Sequence, residues 1–290
     1  VFHPGRCPSA ARPDGEVITG DFLQSVRNVK MKANGIFVTA TDTEVGKTFV
    51  SGLLMQHLAW KGLNPGYFKP VASGCYTENG RLMSEDLAWI GRFLGEEMPP
   101  ELHCPLRFEK PLAPLAAARL EGREVDLGMV REAFGRLRGR YSTIVVEGIG
   151  GVMVPLRQDY LVLDLIAETA LPALIVARPV LGTINHTLLT LEALRARRLP
   201  VLGFVTNGAR DEADEAAGTS PGIIAELGGI PYLGHIPFHD PGRDEPESYR
   251  VQVAPLLEAI WSICQGEGAS PVDSGWDSSS SGEIAADFLE

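Results

Sequence analysis

The chain has 290 residues, of which 44% are hydrophobic and 22% charged, enough to build one large α/β domain or two small ones around a sizeable core. Its formal net charge of −11 argues against a nucleic-acid or anionic-membrane partner, since either needs a basic surface, but leaves room for a local positive cleft. Cys7, Cys75, Cys104 and Cys264 form no Cys-x-x-Cys pair, so neither a zinc knuckle nor a disulfide framework is expected, and free thiols in a reducing cytoplasm are.

In chain order, residues 1–30 show no sustained period and are rich in Pro, Gly and Arg at the start. Met31 opens a short polar lead, and we expect the functional protein to begin near it, with 1–30 an extension, disordered or artefactual. Apolar runs at 35–39, 66–71, 142–148, 172–177, 201–207 and 232–237 predict buried strands. Between and after them, helical patterns fall at 47–60, 84–94, 112–121, 126–138, 159–170, 182–198, 221–228 and 251–263. From about residue 266 a serine run and several acids predict a disordered tail, leaving 31–265 as a single domain. Strands interleaved with helices imply a mainly parallel sheet covered on both faces, with ligands at the carboxyl ends of its strands. No apolar run approaches the ~18 residues of a membrane span, and no signal-peptide core is present, so a cytoplasmic protein is expected.

The first strand runs into "TATDTEVGKTFV" at 39–50, the layout of a phosphate-binding loop between strand and helix. Main-chain N–H groups of such a loop converge on phosphate oxygens, and the helix that follows aims its positive end at the same point. Gly46 permits close approach, Lys47 neutralises phosphate and the Thr48 hydroxyl suits Mg²⁺. The usual leading glycine is missing. Glu147 ends the strand "TIVVE" beside this loop, where a carboxylate suits Mg²⁺; the plain alternative is a glutamate capping the next turn. Asp86, in the first turn of "EDLAWIGRFL", could reach the same metal, with Glu85 adjacent and helix-dipole stabilisation a sufficient other reason for either acid. Lys69 leaves an apolar strand toward a cleft, with Ser73 behind it, and on this ground alone an anion partner and a snorkelling lysine are equal readings. Gly182, Thr183 and Asn185 open a helix, which makes either an anion site or an ordinary cap. Asn207 could read an adenine edge, with Pro237, Phe238 and His239 as further wall. His186 reads as structural, and Pro237 within "HIPFH" argues against a metal pair of His235 and His239.

From Thr41 to Thr48, "TDTEVGKT" resembles the longer loop of dethiobiotin synthases, with Ala40 in place of its first glycine. A Cβ is tolerable there while φ stays negative. The blocks "YFKPVASG", "KPLAPLAAARLEG", "EGIGGVMVPL", "LGTINHTLLT", "TNG" and "HIPF" are similar to that family's successive segments, in order, from about Met31 to Trp261. The resemblance implies a P-loop NTPase-type α/β fold. It also implies a homodimeric cyclo-ligase that converts 7,8-diaminononanoate, CO₂ and MgATP to dethiobiotin, with no nucleic-acid or membrane partner. It favours Asp86 over Glu85 and gives Thr48, Asp86 and Glu147 as metal ligands. It assigns the chemistry to Lys69, Lys47, Thr43 and Glu44, and the contact with the carbamate to Ser73. The nucleotide set it implies takes in Glu44, Val45, Gly46, Phe49, Gly148, Ile149, Gly150 and Gly208 besides the residues above, while Gly182, Thr183 and Asn185 hold the substrate's tail across a dimer interface. Two other readings stay open: a partitioning-type P-loop ATPase, although "ATDTEV" lacks the early lysine often found there, and a corrinoid-type amidotransferase synthetase, although no glutaminase length is spare.

Overall fold

The computed structural model describes residues 33–208, 215–238 and 246–267. The expectations for residues 1–30, for His239 and for the tail beyond 267 therefore lie outside the described residues.

Six strands form one parallel sheet: β1 (Gly35–Ala40), β2 (Pro65–Phe68), β3 (Thr143–Glu147), β4 (Ala173–Ala177), β5 (Val201–Asn207) and β6 (Tyr232–Ile236). Their spatial order is β6-β5-β4-β1-β3-β2, every neighbouring pair parallel. All six match apolar runs of the sequence. The runs are nearly continuous because both faces of the sheet are covered, and alternate side chains serve opposite cores. In β1, Ile36, Val38 and Ala40 enter one core and Phe37 the other.

The first core is closed by α1 (Lys47–Trp60), α2 (Glu85–Leu94) and α7 (Pro246–Cys264), through residues such as Leu54, Leu58, Ile90 and Leu257. The second is closed by α3 (Leu127–Arg140), α4 (Val162–Thr169), α5 (Thr183–Ala196) and α6 (Glu215–Gly228), through Leu137, Ile166, Leu194 and Ile224. The result is a three-layer α/β/α arrangement. Helix α6 starts at Glu215 and runs through Pro221, whereas the expected helix began at 221. Also beyond the sequence reading are a one-turn helix, Pro100–His103, and two small antiparallel ribbons, Tyr76–Glu78 with Arg81–Met83 and Pro155–Arg157 with Tyr160–Leu161. No described helix is long and apolar enough to cross a membrane.

Strand β1 lies between β3 and β4, where the order of connection changes direction, and the crevice outside its carboxyl end is the place this topology reserves for ligands. The missing loop glycine finds its explanation here. Ala40 is the last residue of β1, paired with Val176 and fully buried, and its φ is not positive, so a Cβ is accommodated. Ala40→Gly should leave turnover within about twofold while lowering stability by about 1–2 kcal/mol, from a lost buried methyl and added chain entropy. Denaturant unfolding beside a steady-state assay measures both.

Candidate active site

The loop Thr41–Gly46 leaves β1 and delivers α1. Gly46, at φ 87°, lies so close to Asn207 that a Cβ would stand 2.0 Å from the Asn207 amide nitrogen. Only glycine fits this turn. The Nζ of Lys47 donates to the Asp42 carbonyl at 3.2 Å, curling the lysine back over the loop.

Strand β3 ends in Glu147, whose side chain is 1% exposed, and each carboxylate oxygen has donors. Lys69 Nζ at 2.7 Å and Thr48 Oγ1 at 2.8 Å meet Oε1, and Tyr67 Oη donates to Oε2 at 2.8 Å. Lys69 also donates to the Gly148 carbonyl at 3.1 Å and pairs with Asp86 Oδ2 at 2.7 Å. Thr48 Oγ1 stands 2.8 Å from Asp86 Oδ1, so one hydroxyl bridges two carboxylates. Strand β3 lies between β1 and β2, which is why residues at and just past the ends of these three strands can meet. Asp86 arrives from α2, whose start is fixed by Ser84 Oγ accepting the Leu87 N–H.

Charge balance governs the protonation of this cluster. Burial works against the Lys69 charge, but Glu147 and then Asp86 outweigh it and hold the ammonium above its ordinary pKa. Burial would raise Asp86, yet Lys69 beside it keeps the carboxyl below its usual range. Tyr67, raised chiefly by burial and then by Glu147, stays a phenol and a donor. Lys47 goes the other way: burial, then Lys69, lower it to about 8. The three oxygen donors from Thr48, Asp86 and Glu147 suit a hard divalent cation that shares phosphate and water ligands. Among the described residues, no group of three or more His, Cys, Asp or Glu side chains is arranged to hold a metal ion by itself.

Two cavities meet at this cluster. One, of about 670 Å³, is walled by Phe49, Trp89, Arg92, Asn207, Gly208, Pro237 and Phe238. The other, of about 640 Å³, is walled by Thr43, Glu44, Lys47, Lys69, Ser73, Glu147, Ile149, Gly150 and the segment 111–114. Gly46, Thr48 and Asp86 line both. Each is of the size that takes a small ligand.

The family model for an AAA domain matches residues 34–245. The ATP-dependent dethiobiotin synthetase BioD of Thermodesulfovibrio yellowstonii is 40% identical over 216 residues, covering 72% of this chain and 90% of that protein. The BioD protein of Bacillus subtilis strain 168 is 41% identical over 203 residues (70% and 87% of the two chains), and that of Methanococcus vannielii 43% over 176 (61% and 80%). The chain belongs to the dethiobiotin synthetase family.

Most of the site residues expected from the sequence thus line one cavity or the other. Val45, which lines neither, contributes its carbonyl as acceptor for Asn207 Nδ2 at 2.9 Å, and Gly148 its carbonyl to Lys69. Gly182, Thr183 and Asn185 also line neither cavity; they open α5 past the end of β4. Three residues in or beside this cluster were not among those expected from the sequence. Tyr67 is two residues before Lys69 on the same side of the chain, and Trp89 is one helical turn after Asp86, so spacing could have found both. Arg178, whose Nη2 donates to the Thr43 carbonyl at 2.8 Å, follows a buried strand with no comparable signal.

Proposed function

We propose that this protein uses MgATP to carboxylate and cyclise 7,8-diaminononanoate with CO₂, yielding dethiobiotin, ADP and phosphate. The observation that carries the reading is the seam at Gly46, Thr48 and Asp86, where an aromatic-walled cavity large enough for a nucleoside opens onto a second one lined by two lysines. The nucleotide base lies between Phe49, Trp89, Pro237 and Phe238, with Asn207 at its edge and the triphosphate in the loop. The diamine lies beyond the γ-phosphate. One amine adds CO₂ and releases a proton, giving a carbamate. A carbamate oxygen attacks the γ-phosphorus and ADP departs. The neighbouring amine then closes on the carbamate carbon, expelling phosphate and losing its proton. Negative charge gathers on phosphoryl and carbamate oxygens, so fixed cations and N–H donors are the catalytic requirement.

Lys47 is placed for the phosphates and Lys69 for the carbamate, with Ser73 as its hydrogen-bond donor. Thr43 and Glu44 cover the reacting group. Thr48, Asp86 and Glu147 would hold Mg²⁺, which offsets phosphate charge when bound. Fixing both amines beside the phosphoryl group contributes further, on the order of 7 kcal/mol for a well-oriented reaction. The catalytic domain is residues 31–265. It works as a homodimer, with Gly182, Thr183 and Asn185 of a second copy binding the substrate's carboxylate tail at the start of α5, in keeping with the position of that helix outside both cavities. A turnover assay with MgATP, bicarbonate and the diamine tests the reading. ADP release that depends on the diamine, with a product gaining one carbonyl and losing two amine hydrogens, supports it; ATP hydrolysis indifferent to the diamine refutes it.

A further inference from the structure

A phosphate loop turns its N–H groups inward, so its carbonyls point out and need donors of their own. Three of them here find side chains. The Asp42 carbonyl takes Lys47 Nζ at 3.2 Å, the Val45 carbonyl takes Asn207 Nδ2 at 2.9 Å, and the Thr43 carbonyl takes Arg178 Nη2 at 2.8 Å. Between the last two bonds sits Glu44 at φ 55°, a left-handed conformation that a residue with a Cβ adopts only when its surroundings impose it. The loop apex is therefore clamped from both sides. Strand β4 supplies one side twice over: the Val176 carbonyl accepts the Thr41 N–H at 3.1 Å, and Arg178 stands one residue past the strand's end.

We propose that Arg178 is a positioning residue that holds the apex Thr43–Glu44 over the transferred phosphoryl group. The proposal deepens the synthetase reading and rests on it. Thr43 and Glu44 line only the second cavity, the one that Lys47 and Lys69 also line, whereas Gly46 and Thr48 line both cavities. Arg178 thus acts on the reacting end of the nucleotide, while the base and inner phosphates rest on contacts it does not touch. Its guanidinium reaches the site through a main-chain carbonyl, which explains why no loop pattern in the sequence announces it.

The experiment compares wild type, Arg178→Ala and Arg178→Lys by steady-state turnover, by calorimetric affinity for ADP and for a non-hydrolysable ATP analogue, and by melting temperature. Arg178→Ala is expected to lose about tenfold in kcat and about tenfold in affinity for the triphosphate analogue, as befits one charged hydrogen bond, with ADP affinity and melting temperature unchanged. Arg178→Lys, keeping one donor, should recover most of both losses. Unchanged kcat and analogue affinity in Arg178→Ala overturn the proposal. So does an equal loss for ADP and the analogue, which makes Arg178 a support of the whole loop, and so does a lysine variant as impaired as alanine. Should wild type fail to turn over the diamine, the synthetase reading is what fails, and the analogue-to-ADP affinity ratio still decides the role of Arg178.

Discussion

Lys69→Met is expected to lower turnover by about 10²- to 10³-fold, the usual cost of removing one preorganised charge from developing oxyanions. ADP affinity should stay close to that of wild type, because the loop and Lys47 remain. The same substitution should also destabilise the fold, which separates Lys69 from an ordinary cleft lysine. Glu147 is 1% exposed and shares Lys69 with Asp86, so removing the cation strands one fully and one partly buried carboxylate. Breaking a buried pair from one side costs about 3–5 kcal/mol. Lys69→Met combined with Glu147→Gln should regain much of that stability without regaining activity, because the neutral amide leaves no buried charge stranded and its one oxygen still accepts from Tyr67 or from Thr48, but it supplies no cation. Denaturant unfolding of the three proteins beside their turnover gives the answer. A single variant as stable as wild type would mean that the Lys69–Glu147 pair contributes nothing to the fold.

How much of this was legible in the sequence follows from the range of the interactions. The six sheet strands stand out as apolar runs because they are buried on both faces, and α1 matches its expected span of 47–60 residue for residue. Gly46, Lys47 and Thr48 are a local pattern, readable without knowledge of the fold. Glu147 and Asp86 were legible as acids at element ends, but that a single Thr48 hydroxyl bridges them depends on contacts 38 and 99 residues apart in the chain. The ribbon Tyr76–Glu78 with Arg81–Met83 is too short and too exposed to show a period. Arg178 illustrates the remaining limit. It meets Thr43 across 135 residues through a carbonyl, and carbonyls leave no trace in a sequence. Gly182, Thr183 and Asn185 were legible as a helix start, and their place outside both cavities needed the fold to be seen.

Lys47→Met should abolish ATP-dependent turnover and yet make the protein more stable at pH 7, the opposite stability outcome from Lys69→Met. The two lysines share one cluster but sit differently in it. Lys47 is buried, and burial with neighbouring Lys69 lowers its pKa from 10.5 to about 8. At pH 7 it is charged in both folded and unfolded states, and its folded-state charge is penalised. Between about pH 8 and 10.5 the unfolded chain binds the extra proton, so this residue's contribution to stability rises with pH in that window. Methionine keeps the length, removes the penalty and removes the pH dependence. Triphosphate reverses the balance, because phosphate anions favour the ammonium that burial disfavours. Nucleotide binding at pH 8 should therefore take up about half a proton, falling toward zero by pH 6.5, as expected for a group titrating near 8. Calorimetry in buffers of different ionisation enthalpy measures that uptake, and it should vanish in Lys47→Met. Uptake that survives the substitution would assign the proton to another group. A variant less stable than wild type at pH 7 would show that the hydrogen bond to the Asp42 carbonyl outweighs the cost of the buried charge.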